Sequence, residues 1–150
     1  MGSDDGRPPD GYAALEDGYF AWTGADGAGP CLLGSYSPST GLSFFPRRRC
    51  CPVTFEDVVE VELSRRGRLY SWTYIAERGV DGVEHRVGVG QVDLDDGPRI
   101  QAPLAGDPSE WRVDMPVELE LVPVLDARRE PWIDDEHRVL MTFGFRAAHR

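Results

Sequence analysis

Three consecutive arginines form the densest positive charge in this sequence. Arg47, Arg48 and Arg49 stand in an otherwise acidic chain, whose formal net charge is −10. A guanidinium group is planar and presents several N–H donors, which suits it to phosphate groups. Two interpretations follow: the run is a solvated turn, as clustered charge usually is, or it contacts a phosphate-bearing ligand or a partner protein.

The chain has three cysteines, two of them adjacent. Cys31 has no second cysteine at the two-residue spacing of metal sites, and the side chains of Cys50 and Cys51 point to opposite sides if the segment is extended. Three cysteines do not make a disulfide framework, which favours a reducing compartment. Since no apolar run is long enough to span a membrane and the N-terminus is acidic, the sequence predicts a soluble cytoplasmic protein.

Three aromatic residues alternate along one segment and would share one face of a strand: Tyr70, Trp72 and Tyr74. Such a row could stack on nucleic-acid bases. Stacking platforms lie in positive grooves, however, and the net charge of −10 argues against binding to a phosphate backbone. The sequence therefore favours core or protein interface, with a single-stranded nucleic-acid-binding module as the alternative.

The sequence lacks the residue combinations that form common nucleophilic active sites. There is no lysine for a Schiff base, and the three histidines lie in predicted loops or at the terminus. No Gly-x-Ser-x-Gly elbow and no Cys-His pair can be identified. We therefore expect no catalytic residues in this chain.

Residues 1–30 are predicted to be a flexible arm with a short helix. Apolar residues recur at helical spacing between Tyr12 and Trp22, and so short a helix must dock on its own domain or on another chain. A glycine-rich spacer, residues 23–30, follows. The candidate contact residues of the arm are its aromatics: Tyr19, Phe20 and Trp22.

Apolar and polar residues alternate from Val59 onward, which is typical of half-buried antiparallel strands. The alternation changes phase near Gly90, and this predicts a bulge that bends a strand round a small barrel. Asp107 and the three residues after it have the pattern of a helix start. Five main strands, with a helical turn before the fourth, predict an all-β fold closed as a five-stranded OB-fold barrel over residues 56–150.

Five short motifs occur in a fixed order: Thr40-Gly41 with Phe45-Pro46-Arg47 and Cys51-Pro52; Gly67 to Tyr74; Val92 to Gly97; Met115-Pro116-Val117; and Phe145-Arg146. Together they span about residues 33–148. In this order they resemble the zinc-ribbon plus OB-fold proteins that accompany thiolase-like enzymes acting on acyl-CoA.

The resemblance implies a zinc-ribbon (rubredoxin-like) knuckle over residues 31–55. A working ribbon holds zinc with four thiolates in two Cys-x-x-Cys pairs. The corresponding positions here are Ser37, Thr40, Cys51 and Thr54, so only one is a cysteine. Neutral hydroxyls are poor zinc ligands, and we expect a degenerate knuckle with no bound zinc and no other cofactor.

The resemblance also implies a non-catalytic accessory subunit. Its partner would be a thiolase-superfamily protein, an acyltransferase, a thiolase or a retro-aldolase of the steroid side-chain type, in a hetero-oligomer around a partner dimer that shares the acyl-CoA. A stand-alone acyl-CoA-binding protein is a further alternative. The residues expected to contact CoA or the partner are Arg47, Arg48, Arg49, Tyr19, Phe20, Trp22, Trp72 and Tyr74.

Overall fold

The computed structural model describes residues 6–126 and 128–148, and this part of the chain is built almost entirely of strands. They are β1 (Tyr12–Ala14), β2 (Phe20–Ala21), β3 (Cys31–Ser37), β4 (Leu42–Phe44), β5 (Val59–Glu62), β6 (Arg66–Arg78), β7 (Glu84–Leu94), β8 (Arg99–Leu104), β9 (Pro116–Pro123) and β10 (Val139–Ala147). A 3-10 helix, Pro108–Glu110, lies between β8 and β9. None of the helical residues in the described ranges forms a segment long and apolar enough to cross a membrane.

Strands β6 to β10 close into a barrel. The antiparallel pairs β6–β7 and β7–β8 follow the chain, β8 meets β10 in parallel, and β10 pairs antiparallel with β9. The barrel closes because β9 also pairs with β6. This is the predicted five-stranded OB-fold, with the 3-10 helix before the fourth strand.

The 3-10 helix forms where the sequence places it. The carboxylate of Asp107 accepts a hydrogen bond from the Ser109 amide at 2.9 Å, as expected of an N-cap. The turn carries Trp111 onto the barrel, where its ring is 5% exposed and its Nε1 donates to the Ala105 carbonyl at 3.3 Å. Trp111 thus covers part of the core that the strands leave open.

The predicted helix between Tyr12 and Trp22 is wrong. Its residues form β1, which pairs in parallel with β10, and β2, which pairs antiparallel with β3. Gly18 separates the two strands with φ 85°, a left-handed conformation that ends any helix. The backbone hydrogen bonds that a helix would make locally are supplied here by distant strands.

The predicted spacer of residues 23–30 is tied to the rest of the protein. Arg65 donates to both carboxylate oxygens of Asp26 at 2.7 Å, and the Ala25 amide lies 2.9 Å from Glu62 Oε1. Bidentate pairing of this kind fixes orientation as well as distance. The segment is therefore a positioned loop against β5 and β6.

The bulge lies in a different strand from the one predicted. Alternation continues without a phase change through β7, where Gly88, Gly90, Val92 and Leu94 are buried. The register shift falls in β6 between Leu69 and Ser71. Glycine is needed at position 90 for another reason: a Cβ there would overlap the side chains of Leu104 and Leu69.

The smaller sheet consists of β2, β3, β4 and β5, with β3 pairing to all three others. Strand β5 belongs here, although its residues fall in the range predicted for the barrel. The two sheets share one core, because buried residues of both are in contact. The members from the smaller sheet and its end are Phe20, Leu32 and Leu63; the barrel contributes Leu69, Val92, Leu94, Ile100, Ala102, Leu104, Trp111, Val117, Leu119 and Phe145.

Candidate functional site

The arginine run is held in place by a buried serine of β3. The Arg48 amide donates to Ser35 Oγ at 2.8 Å, and the Ser35 hydroxyl donates to the Arg48 carbonyl at 3.3 Å. Ser35 is 2% exposed, so these bonds do not compete with bulk water. The backbone of the run is therefore fixed to the sheet while its side chains project outward.

The three guanidinium groups differ in their surroundings. Arg47 pairs with Glu60 Oε1 at 3.2 Å, and the Arg48 guanidinium lies 5.7 Å from the centre of the Phe44 ring. Arg49 is exposed. Among the residues that the structure describes, only Arg47 of the run is paired with a carboxylate, so the positive charges of Arg48 and Arg49 remain available to a ligand or a partner.

These arginines line an open cleft of about 380 Å³. Its other walls are Ser35, Val58 and Glu60. Three guanidinium groups against one carboxylate make this cleft suited to an anionic group such as a phosphate. The structure thus brings the three predicted residues to one opening.

The four positions expected for zinc ligands also come together, in a group we call the Cys51 cluster: Ser37, Ser39, Thr40, Cys51 and Thr54. Ser39 Oγ lies 2.8 Å from Thr54 Oγ1 and 3.0 Å from Ser37 Oγ. Thr40 Oγ1 lies 4.0 Å from Cys51 Sγ, within the range of a weak hydrogen bond to sulfur. Ser37 and Cys51 are fully buried.

The environment of Cys51 lowers the pKa of its thiol. Burial acts to raise this pKa, but hydrogen bonds from the Ser37 and Thr54 hydroxyls and from the Thr54 and Val53 amides outweigh it, and the pKa falls to about 6. Cys31 is the opposite case, because burial and the nearby Glu62 raise its pKa to about 11.

The donor set of the Cys51 cluster does not fit zinc. One cysteine sulfur and four hydroxyls converge where a structural site needs thiolate or imidazole ligands. Across residues 6–126 and 128–148, no three side chains of the His, Cys, Asp or Glu type group closely enough to hold a metal ion.

The aromatic residues of the arm do not form one exposed face. Phe20 is 8% exposed and belongs to the core, so its expected availability for contact is wrong. Trp22 packs edge-on against it with ring centres 5.2 Å apart, and Tyr19 packs on Phe45 at 5.8 Å. Tyr19 and Trp22 keep part of their surface in solvent.

The expected row of three aromatics on β6 is also wrong. The bulge leaves Tyr70 on the outer face, where the Arg99 guanidinium lies 3.5 Å from the centre of its ring. Trp72 instead packs edge-on against Trp111 with ring centres 5.5 Å apart. Tyr74 is 42% exposed. A base-stacking platform of these three side chains does not exist in this geometry.

Tyr74 lies on a two-stranded ribbon that projects past the barrel. Strand β6 pairs with β9 only over Arg66–Arg68, and β7 pairs with β8 only from Gly88 onward. Beyond these points the two strands pair only with each other. The ribbon exposes four large apolar or aromatic side chains: Tyr74, Ile75, Val80 and Val83. Isolated ribbons of this kind are marginally stable, and such exposed apolar surface is typical of contact sites.

Sequence analysis did not predict a cleft of about 700 Å³. Tyr12, Trp22 and Met141 line it together with barrel residues. Arg146 pairs with Glu118 at 2.8 Å on its floor. The alternation of apolar and polar residues predicts that the Glu118 side chain points outward. It does not predict that residues of the N-terminal arm will form the opposite wall of a cleft there.

Comparison with known proteins places this architecture in a class. The family model described as "ChsH2, C-terminal OB-fold domain" matches residues 60–122. Benzoylsuccinyl-CoA thiolase subunit BbsA of Thauera aromatica is 38% identical over 107 residues, which cover 69% of this chain and 72% of that protein. The subunit of the same name from Geobacter metallireducens is 34% identical over 99 residues, covering 66% and 67%.

A solved structure agrees. The Ltp2-ChsH2(DUF35) aldolase superposes with a TM-score of 0.57 at 26% identity, covering 78% of this chain and 84% of that one. The fold and these likenesses define an OB-fold protein of the type found beside thiolase-like enzymes. This chain belongs to the OB-fold family that includes the BbsA subunits.

Proposed function

We propose that this protein is the OB-fold accessory subunit of a thiolase-superfamily enzyme that acts on acyl-CoA thioesters. It supplies surface to the complex, and the partner supplies the reacting groups. The observation that carries the proposal is the match to two thiolase subunits over about two thirds or more of their length. The likeness to the Ltp2-ChsH2(DUF35) aldolase supports a partner of the same superfamily.

Co-expression with a candidate thiolase-superfamily partner tests this function. We expect one peak in size-exclusion chromatography that contains both chains, and turnover of an acyl-CoA only by the complex. Release of a second acyl-CoA from added CoA would indicate a thiolase or acyltransferase, and release of a ketone or aldehyde would indicate a retro-aldolase. Separate peaks under all conditions would contradict the proposal, and CoA-ester binding by this chain alone would favour the stand-alone alternative.

The arginine cleft is our candidate for contact with the phosphate groups of CoA. Three features support this role: the fixed backbone at Arg48, the excess of guanidinium groups over carboxylates, and the open cleft of about 380 Å³. A charge-assisted hydrogen bond contributes about 1.5–3 kcal/mol, so losing one phosphate contact weakens binding about tenfold or more.

The double variant R48Q/R49Q tests this contact in the intact complex. We expect KM for the CoA thioester to rise about tenfold while kcat stays unchanged, since the phosphates are remote from the reacting bond. A pantetheine thioester, which lacks the phosphates, should show no change. R68Q/R112Q removes the same charge from exposed barrel positions and is the matched control. If R48Q/R49Q instead dissociates the complex, the run is a partner contact.

The projecting ribbon is our candidate for contact with the partner. Tyr74 is the predicted residue that lies there, and Ile75, Val80 and Val83 extend its apolar surface. Trp72 packs on Trp111, and the half-buried Tyr19 and Trp22 pack against the core. These three residues would stabilise the contact surfaces by packing beneath them. We expect Y74D to weaken co-purification with the thiolase-like chain and Y74F to preserve it. V113D, at an exposed position before β9, serves as a control; equal retention by Y74D and wild type would remove the ribbon from the interface.

The zinc-ribbon ancestry of residues 31–55 and a cytoplasmic location remain proposals. The first is supported by the way Ser37, Thr40, Cys51 and Thr54 converge at the ends of two turns. The second is supported by the three free cysteines. Fractionation of cells and detection of the chain with its partner would test the location.

A further inference from the structure

Two tight turns face each other in the smaller sheet. In the first, the amides of Thr40 and Gly41 donate to the Ser37 carbonyl at 3.3 and 2.8 Å. In the second, the Phe55 amide donates to the Cys51 carbonyl at 2.8 Å. Each turn therefore presents a polar side chain at its first and fourth positions.

The side chains of the two turns are joined by hydrogen bonds. Ser39 is the middle of a chain of hydroxyls, 3.0 Å from Ser37 Oγ on its own turn and 2.8 Å from Thr54 Oγ1 on the other. The Cys51 thiol closes the group from the second turn by approaching Thr40 Oγ1 at 4.0 Å. Because a hydroxyl both donates and accepts, every member can be satisfied within the cluster.

Because parts of the cluster are buried, its hydrogen bonds contribute to the stability of the folded state. Ser37 and Cys51 are 0% exposed, so their polar atoms have no access to bulk water. A buried polar atom that loses its partner destabilises the folded state by its full desolvation penalty. The cluster therefore links the two turns only while its hydrogen bonds stay intact.

We propose that the Cys51 cluster is a metal-free clasp, in which hydroxyl groups and the Cys51 sulfur hold the two turns together by hydrogen bonds in place of a metal ion. Since Thr40 and Cys51 of opposite turns lie 4.0 Å apart, we expect thiolates at the first and fourth positions of both turns to reach one tetrahedral ion. The clasp concerns residues 37–54 alone and does not depend on the proposed function.

The variant S37C/T40C/T54C tests the geometry. Purified from zinc-supplemented medium, it should contain about one zinc ion per chain, as four thiolates require, and its Tm should fall by about 5 °C or more when a chelator removes the ion. Wild type should contain no stoichiometric zinc, and a chelator should leave its Tm unchanged. S43C/S64C/S109C carries the same number of added cysteines elsewhere and should bind no stoichiometric zinc.

A second variant tests the hydrogen bonds if the triple variant does not fold. S37A removes one buried hydroxyl and should lower Tm by about 3 °C, whereas S43A, on the neighbouring strand, should not. Stoichiometric zinc in wild type would overturn the proposal. So would a folded triple variant without zinc, or equal Tm values for S37A and S43A.

Discussion

At the residue scale, Gly88 lets the Trp111 ring lie against β7. A Cβ at this position would overlap the ring. We expect Gly88→Ala to destabilise the protein by about 1–3 kcal/mol, the usual range for overpacking a core. Urea unfolding measures the loss. In a Trp111→Leu background the same change should cost less, and an undiminished cost there would show that the overlap is not its cause.

Ser35 connects a buried hydroxyl to the candidate anion cleft. Ser35→Ala leaves the partly buried Arg48 amide without its acceptor, and we expect a loss of about 1 kcal/mol in unfolding free energy. Ser43→Ala on the adjacent strand is the control, because its hydroxyl makes no hydrogen bond with the described part of the chain. Equal urea midpoints for the two variants would show that the arginine run is held by other contacts.

At the element scale, the loop before β10 is organised by one carboxylate. Asp134 accepts hydrogen bonds from the amides of Glu136 at 3.0 Å and Arg138 at 2.8 Å, and it pairs with the Arg138 guanidinium at 2.8 Å. The Arg138 amide, followed by its guanidinium, holds the pKa of Asp134 below its usual value, although burial acts to raise it.

This pKa shift predicts a pH dependence of stability. A carboxylate whose pKa is depressed in the folded state stabilises the protein above its unfolded pKa of about 3.9, and this contribution is lost as pH falls through the lower folded pKa. We expect D134N to be less stable than wild type at neutral pH, with the difference shrinking below about pH 4. Urea midpoints across pH measure it, and the exposed neighbour variant D135N should be as stable as wild type at neutral pH. A gap that stays constant down to about pH 2 would contradict this account.

At the scale of the whole molecule, the smaller sheet and the barrel should unfold together. Phe20 and Leu32 of the smaller sheet belong to the same buried cluster as Leu69 and Phe145 of the barrel. We expect Phe20→Ala to cost about 3–5 kcal/mol, as large core deletions do, and to leave a single transition. Hydrogen exchange should show amides of β3 and β7 losing protection in parallel. Retention of a protected barrel after β3 opens would show two independent units.

The arrangement of the molecule suits a docking subunit. The arginine cleft is part of the smaller sheet, and the apolar ribbon projects from the barrel. The two candidate contact surfaces thus belong to different sheets that a common core holds in one body. We therefore expect variants on either surface to alter the complex without unfolding the protein, which circular dichroism of each variant would check.

The sequence alone determined the features that have a local cause. Alternation with a period of two identified the barrel strands, the Asp107 pattern placed the 3-10 helix, and ordered motifs identified the family. Arg47, Arg48 and Arg49 line one cleft for a similarly local reason, since they are consecutive in one turn; their contact with CoA stays a prediction.

Only the tertiary structure decided which segments pair. The residues of β1 and β2 have helical spacing, yet distant strands supply their hydrogen bonds. The bulge in β6 lies where this strand pairs with β7, and it separates Tyr70 from Trp72. The Cys51 cluster and the large cleft likewise join residues far apart in the chain. Strand pairing and register depend on contacts that no window of sequence contains, so these features could be read only from the folded molecule.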